Sequence, residues 1–218
     1  MSIAPETGKI PASAPGTIAV LGAGSWGTAL AIQFTRAGCL TTLWGRDAAH
    51  LQDLARERRN SRYLPDAMFP DALTIDADLA RVLATNRDVV ISVPSHALRG
   101  MLEGIAEHRV ADMRLAWATK GFELSTGLLP HQVAQQVLGA EVPTAVISGP
   151  TFAREVGAGL PTAMTIAAAD AVFARDLAQR ISGVHFRAYT STDVIGVEIG
   201  GAIKNVLAIG AGISDGLG

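Results

Sequence analysis

Between an apolar run, Thr17 to Leu21, and a segment of helical period that begins at Ser25, the chain sets Gly22, Gly24 and Gly27 in the order G-x-G-x-x-G. Few short stretches restrict a fold as strongly. The first glycine permits a tight turn, the second lets phosphates approach the backbone, and the third lets the following helix lie close to the strand. The helix N-terminus then presents free N–H groups to an anion. A strand-turn-helix unit of this kind binds a dinucleotide.

The rest of the chain supplies the sheet such a turn needs. Strands are expected in "TIAVLG", "LTTLW", "DVVISVP", "RLAWATKG", "PTAVISGP", "PTAMTIAAA" and "VHFRAY". Helices are expected in "SWGTALAIQFTRAG", "AAHLQDLARERR", "DADLARVLAT", "HALRGMLEGIAEH", "LPHQVAQQVLG" and "AVFARDLAQRI". This alternation predicts a Rossmann-like α/β fold, a mostly parallel sheet with helices on both faces. The stretch "NSRYLPDAMFPDA" reads as a proline-punctuated loop. From Thr192 the character changes: "STD" can cap a helix that runs on to the end, the first element of an all-helical second domain. Three segments result: a disordered leader over residues 1–16, a dinucleotide-binding domain over 17–191, and the first helix of a C-terminal substrate domain over 192–218, the remainder of that domain being expected to be absent.

Charge and cysteine content exclude several classes. A formal net charge of -2 provides no basic field for nucleic acid. The single cysteine, Cys39, permits neither an intrachain disulfide nor a cysteine-based metal site, which favours a cytoplasmic setting; it reads as a small core residue. The leader lacks the basic start and apolar run of a secretory signal, and no stretch reaches the roughly 18 apolar residues of a membrane helix, so no membrane insertion is expected. A homodimer is left open.

Of the 18 basic residues only three are lysines: Lys9, Lys120 and Lys204. Arginine stays protonated, whereas a lysine gives up its proton when its surroundings disfavour charge. Lys120 follows a strand end, where ligands bind in such sheets, and can bring a charge to a phosphate or a carbonyl oxygen. Gly149 and Pro150 make a turn after the next strand, and Thr151 offers a hydroxyl and an N–H at a helix start. Lys204 has the small neighbours Gly200, Gly201 and Ala208, together with Leu207, one turn away. Each helical glycine costs about 1 kcal/mol against alanine, so those glycines imply a close approach. An acid-base amine is helped by burial and by a second cation, and Lys120 is the candidate; the alternative is a snorkelling helix lysine. After the second strand come Arg46, suited to a 2'-phosphate, and Asp47, suited to ribose hydroxyls: NADP is expected to be accepted, with NAD open, unless Arg46 is only a solvated loop charge. His96 reads as a helix-start residue, not an acid-base group.

In sequence order, "GAGSWGTALA", "NSRYLP", "ISVPS", "ATKGFE", "SGPTFAREV" and "GGAIKN" followed by "GISDGLG" resemble the bacterial NAD(P)-dependent glycerol-3-phosphate dehydrogenases over residues 17 to 218. The resemblance implies an oxidoreductase that interconverts dihydroxyacetone phosphate and sn-glycerol 3-phosphate by hydride transfer with NAD or NADP, feeding glycerophospholipid synthesis. It implies that Ser25, Trp26, Arg46, Tyr63 and Ala153 contact the cofactor, with Lys120 nearby. Lys120, Gly149 and Thr151 are implied as substrate contacts, and Lys204 as the catalytic base at the substrate. Thr151 stands where many relatives carry serine and keeps the hydroxyl. Family members continue into a long helical domain that adds an aspartate and an arginine-asparagine pair, so this chain is expected to be a piece of a longer protein. Two other functions fit the glycine turn: a dehydrogenase of another small keto or hydroxy acid, and a dinucleotide-binding module without catalysis.

Overall fold

The computed structural model describes residues 16–217, so the expected leader lies, except for its last residue, outside the described residues. Thr17–Leu21 forms β1. Ile18 and Val20 point into one core and Ala19 and Leu21 into another, all four fully buried. A strand covered on both faces has no place for alternating polar residues, hence its continuous apolar run.

After β1 come α1 (Ser25–Arg36), β2 (Leu40–Trp44), α2 (Ala48–Glu57), β3 (Arg59–Asn60), β4 (Leu64–Met68), β5 (Thr74–Asp76), α3 (Leu79–Thr85), β6 (Asp88–Ile91), α4 (Ser95–His108) and β7 (Arg114–Trp117). Then follow α5 (Pro130–Leu138), β8 (Thr144–Ser148), α6 (Ala153–Ala158), β9 (Thr162–Ala168), α7 (Ala171–Ile181), β10 (Phe186–Ser191) and α8 (Val194–Leu217). Eight strands form one sheet in the order β10-β9-β8-β7-β6-β1-β2-β5. All neighbours in it are parallel except β8 and β9. Helices α1, α6 and α7 bury their apolar sides on one face, α3, α4 and α5 on the other, as the alternation of elements predicts. From β1 the chain builds outward first through β2 and then, in the opposite direction, through β6; the crevice beyond the ends of β1 and β6 is where such sheets bind ligands.

Two short elements correct the sequence reading. The expected loop "NSRYLPDAMFPDA" contains an antiparallel ladder of β3 with β4, Asn60 opposite Leu64. Its strands are too short to show a period, and Pro65 lies in a two-stranded ribbon that has edges to tolerate it. The hairpin is held by packing on α6: a Cβ at Gly157 would lie 3.0 Å from both Ala67 Cβ and Leu64 Cδ2. The three-residue β5 extends the sheet beside β2, and the Thr42 and Thr74 hydroxyls meet there at 2.9 Å.

At the opposite end of the sheet from the crevice, Arg114 grips Asp88 through Nε and Nη2 at 2.6 and 2.7 Å and reaches Asp176 of α7. Arg180 also pairs with Asp88. A buried carboxylate between two guanidiniums meets the demand that interior charge be paired. Cys39 is buried, its Sγ directed at the Arg180 carbonyl, as expected of a core residue. No single helix among the described residues is long and apolar enough to cross a membrane.

Candidate functional site

Three glycines shape the crevice, for different reasons. Gly22 has φ +121°, and a Cβ there would sit 2.2 Å from the Ser92 carbonyl oxygen. A Cβ on Gly27 would lie 1.8 Å from the Gly22 carbonyl oxygen. These two are required by the turn itself. Around Gly24 a Cβ would meet nothing within 4 Å among the described residues. What Gly24 leaves free is space in a cleft of about 350 Å³, lined by Gly24, Ser25 and Trp26 on one side, Ser92 to Pro94 behind, and Ala118, Thr119, Lys120 and Thr151 on the other.

The electrostatics of the cleft suit an anion. Gly24 is the N-cap of α1 and supplies no side-chain cap, so the first N–H groups of the helix are left for another acceptor. Trp26 Nε1 and Thr151 Oγ1 are buried without a hydrogen-bond partner among the described residues. Buried polar atoms left unpaired are costly, which points to a ligand that satisfies them. An uncapped helix start, an open glycine and two orphaned donors fit a dinucleotide with a second small ligand beside it.

The two lysines of the described residues stand on elements that pack together beside this cleft. Lys120, in the loop after β7, donates from Nζ to the Gly149 carbonyl at 3.3 Å. Gly149 itself has no room for a side chain, since a Cβ would lie 2.9 Å from the Ala163 carbonyl oxygen. Gly201 brings α8 against the stem of Lys120: a Cβ would stand 3.1 Å from Ser148 Oγ and 3.7 Å from Lys120 Cγ. One turn further on, Lys204 carries its Nζ 5.4 Å from the centroid of the Phe152 ring. Burial, and after it the charge of Lys204, lowers the pKa of Lys120 below the ordinary lysine value. The close approach expected of the α8 glycines is therefore made by Gly201. Gly200, Gly210 and Gly212 meet nothing within 4 Å among the described residues.

The start of α8 bears out its expected cap, Asp193 Oδ1 accepting from the Gly196 N–H at 2.8 Å. Its anchor, Glu198, was not foreseen. That carboxylate is buried and accepts from Trp117 Nε1 at 2.9 Å and from the His131 N–H at 3.0 Å. An acid in the first half of a helix of otherwise small and apolar residues, far from the second acid, Asp215, is the available signal.

Arg46, Tyr63 and Ala153 do not line the cleft. Arg46 is exposed beyond β2, while Asp47 caps α2 by accepting from the His50 N–H at 3.1 Å. Tyr63, between β3 and β4, meets the His50 ring edge-on at 5.5 Å. Ala153 opens α6 and packs on the core beneath α1. Thr151 precedes α6 by two residues and does not cap it; the helix start is closed by Glu155 Oε2, which accepts from the Phe152 N–H at 3.0 Å. His96 is exposed in the first turn of α4, in keeping with its reading as a helix-start residue. Asn60 is a further polar residue that the sequence reading missed: fully buried, it donates from Nδ2 to the Ala23 carbonyl at 3.0 Å and to Thr28 Oγ1 at 2.8 Å.

Comparison with known proteins converges on one family. A family model described as NAD-dependent glycerol-3-phosphate dehydrogenase N-terminus matches residues 17–174, and its C-terminus counterpart matches residues 193–218. The glycerol-3-phosphate dehydrogenase (NAD(P)+) of Yersinia pestis (strain Pestoides F) is 53% identical over 205 residues, 94% of this chain and 60% of the relative. The chain thus spans about three fifths of the length of the curated relatives it matches. A crystal structure of glycerol-3-phosphate dehydrogenase from Coxiella burnetii superimposes with a TM-score of 0.86 at 44% identity, covering 93% of this chain and 62% of that one. The Plasmodium falciparum glycerol-3-phosphate dehydrogenase gives 0.84 at 25% identity, with 93% and 60% covered.

Proposed function

From the membership of this chain in the NAD-dependent glycerol-3-phosphate dehydrogenase family, we propose that it forms the cofactor-binding domain, residues 17–191, and the lysine-bearing first helix of the substrate domain, residues 192–218, of an enzyme that interconverts dihydroxyacetone phosphate and sn-glycerol 3-phosphate. The observation that carries this is the packing of α8 through Gly201 on the stem of Lys120, which lines the cleft that the glycine turn opens, with Lys204 one turn further on over Phe152.

Bound NAD(P)(H) supplies or takes the hydride. The chain's own residues have three tasks. Gly22, Gly24, Ser25, Trp26 and Gly27 hold the phosphates on the uncapped start of α1, while Arg46, Tyr63 and Ala153 contact the remainder of the cofactor. Arg46, exposed and without an ion-pair partner among the described residues, suits a 2'-phosphate, and Asp47 is turned to its own helix, so NADP is accepted as well as NAD.

Lys120, Gly149 and Thr151 hold the substrate. Lys120 brings a point charge and Thr151 a hydroxyl that has no partner among the described residues. Lys204 moves the proton: in reduction its ammonium donates to the carbonyl oxygen as the carbon receives hydride, and in oxidation its amine accepts the alcohol proton.

The product feeds glycerophospholipid synthesis, in a cytoplasmic setting that suits a chain whose one cysteine is a reduced core residue. The test is a fluorescence titration with NADH and NADPH, followed by assay of the assembled enzyme with dihydroxyacetone phosphate. Saturable binding with turnover supports the assignment. Turnover of a 2-keto acid in place of dihydroxyacetone phosphate contradicts the substrate, and binding without any turnover leaves a binding module.

A further inference from the structure

The side chain of Asn60 uses every hydrogen-bonding group it has across three parts of the chain. Nδ2 donates to the Ala23 carbonyl and to Thr28 Oγ1, and Oδ1 accepts from the Tyr63 N–H at 3.2 Å. Both Asn60 and Thr28 are fully buried. The Ala23 carbonyl belongs to the peptide plane between the first two glycines of the turn. In a planar trans peptide C=O and N–H point in opposite directions. A carbonyl held towards the β3–β4 hairpin therefore turns the Gly24 N–H away from it, on the residue that opens onto the cleft. That N–H donates no backbone hydrogen bond within the described residues.

We propose that Asn60 is a positioning residue for the cofactor: by fixing the Ala23–Gly24 peptide plane it presents the Gly24 N–H to the pyrophosphate, and through the same amide it sets Tyr63. Without that tie the peptide is free to rotate and to show a carbonyl oxygen, a repulsive partner, to the phosphates. The bond to Thr28 locks the amide against the first turns of α1, so turn, helix start and hairpin are set by one side chain. This rests on the proposal that NAD(P)(H) binds at the glycine turn.

Two variants separate positioning from mere stability. Asn60→Asp keeps the shape but replaces both donors with an oxygen; Thr28→Val keeps the branched volume and removes one acceptor, leaving the Ala23 bond. Dissociation constants of NADH, ADP and adenosine would be measured by fluorescence and NMR titration, alongside thermal midpoints and the Gly24 amide resonance of the free protein. Asn60→Asp is expected to weaken NADH and ADP by about tenfold, the equivalent of one hydrogen bond to a charged group, with adenosine changed by less than about twofold. Thr28→Val is expected to weaken NADH by about threefold, with a shifted Gly24 amide. Equal weakening of all three ligands, or a folded Thr28→Val chain with unchanged NADH affinity and an unmoved Gly24 amide, overturns the proposal while the cofactor assignment stands. A wild-type chain that binds neither NADH nor NADPH overturns both.

Discussion

Nδ1 of His131, at the start of α5, lies 2.5 Å from Oε2 of Glu198 on α8, and the opposite oxygen of that carboxylate accepts from Trp117 and from the His131 backbone. One buried acid thus fastens the lysine-bearing helix to the sheet and to the layer above it. Replacing Glu198 by Ala leaves the Trp117 N–H buried and unpaired, with an expected loss of about 1–3 kcal/mol in denaturant unfolding. His131→Ala, which leaves the Trp117 bond intact, should cost less.

The same latch holds α8, the helix that carries Lys204, against the sheet. Since the charge of Lys204 contributes to the lowered pKa of Lys120, Lys204→Met should raise that pKa towards the burial-only value. At a fixed mildly alkaline pH a smaller share of Lys120 is then neutral, and its acylation by an amine-reactive probe slows. Faster or unchanged labelling would show that the two amines do not sense one another.

Asp88 is predicted to be a stability residue with no bearing on the cleft. Asp88→Asn leaves Arg114 and Arg180 without their shared carboxylate in a largely buried setting. The expected cost is about 3–5 kcal/mol in equilibrium unfolding.

A pH dependence follows from Glu123. The Arg99 guanidinium, gripping it through two bonds of 2.8 Å, and the Thr126 hydroxyl depress its pKa to about 2. A depressed carboxylate contributes its full stability above the ordinary glutamate pKa, near 4.5, and loses it as the pH falls towards about 2. Arg99→Met should therefore be less stable than wild type by a constant margin above that upper value, with the margin closing below it. A margin independent of pH from 6 to 2 would contradict the pairing.

Much of the dinucleotide half was legible because its signals are local. The turn at Gly22 to Gly27 is strand, glycines and helix in consecutive residues, and β1 announces its two-sided burial by being apolar throughout. What escaped depends on partners distant in sequence. Asn60 lies 37 residues from the carbonyl it holds, and Glu198 lies 67 from His131. Neither sits in a periodic pattern that would reveal its burial. The β3–β4 hairpin was lost because two short strands with a proline carry no alternation, and their packing surface, α6, comes much later in the chain. The glycines near Lys204 imply a close approach without saying which of them makes it, and among the described residues it is Gly201 that meets Ser148 and Lys120.

If the space left by Gly24 belongs to a dinucleotide, Gly24→Asp should abolish binding. Among the described residues no atom beyond the chain neighbours lies within 4 Å of a Cβ at this position, and aspartate is a better N-cap than glycine by a few tenths of a kcal/mol, so the fold should be as stable as before. The new carboxylate would take the helix N–H groups and place a negative charge where the pyrophosphate belongs. Fluorescence titration should show saturable NADH and NADPH binding to the wild-type chain and none to Gly24→Asp at the same thermal midpoint. Undiminished binding by the variant would contradict the account.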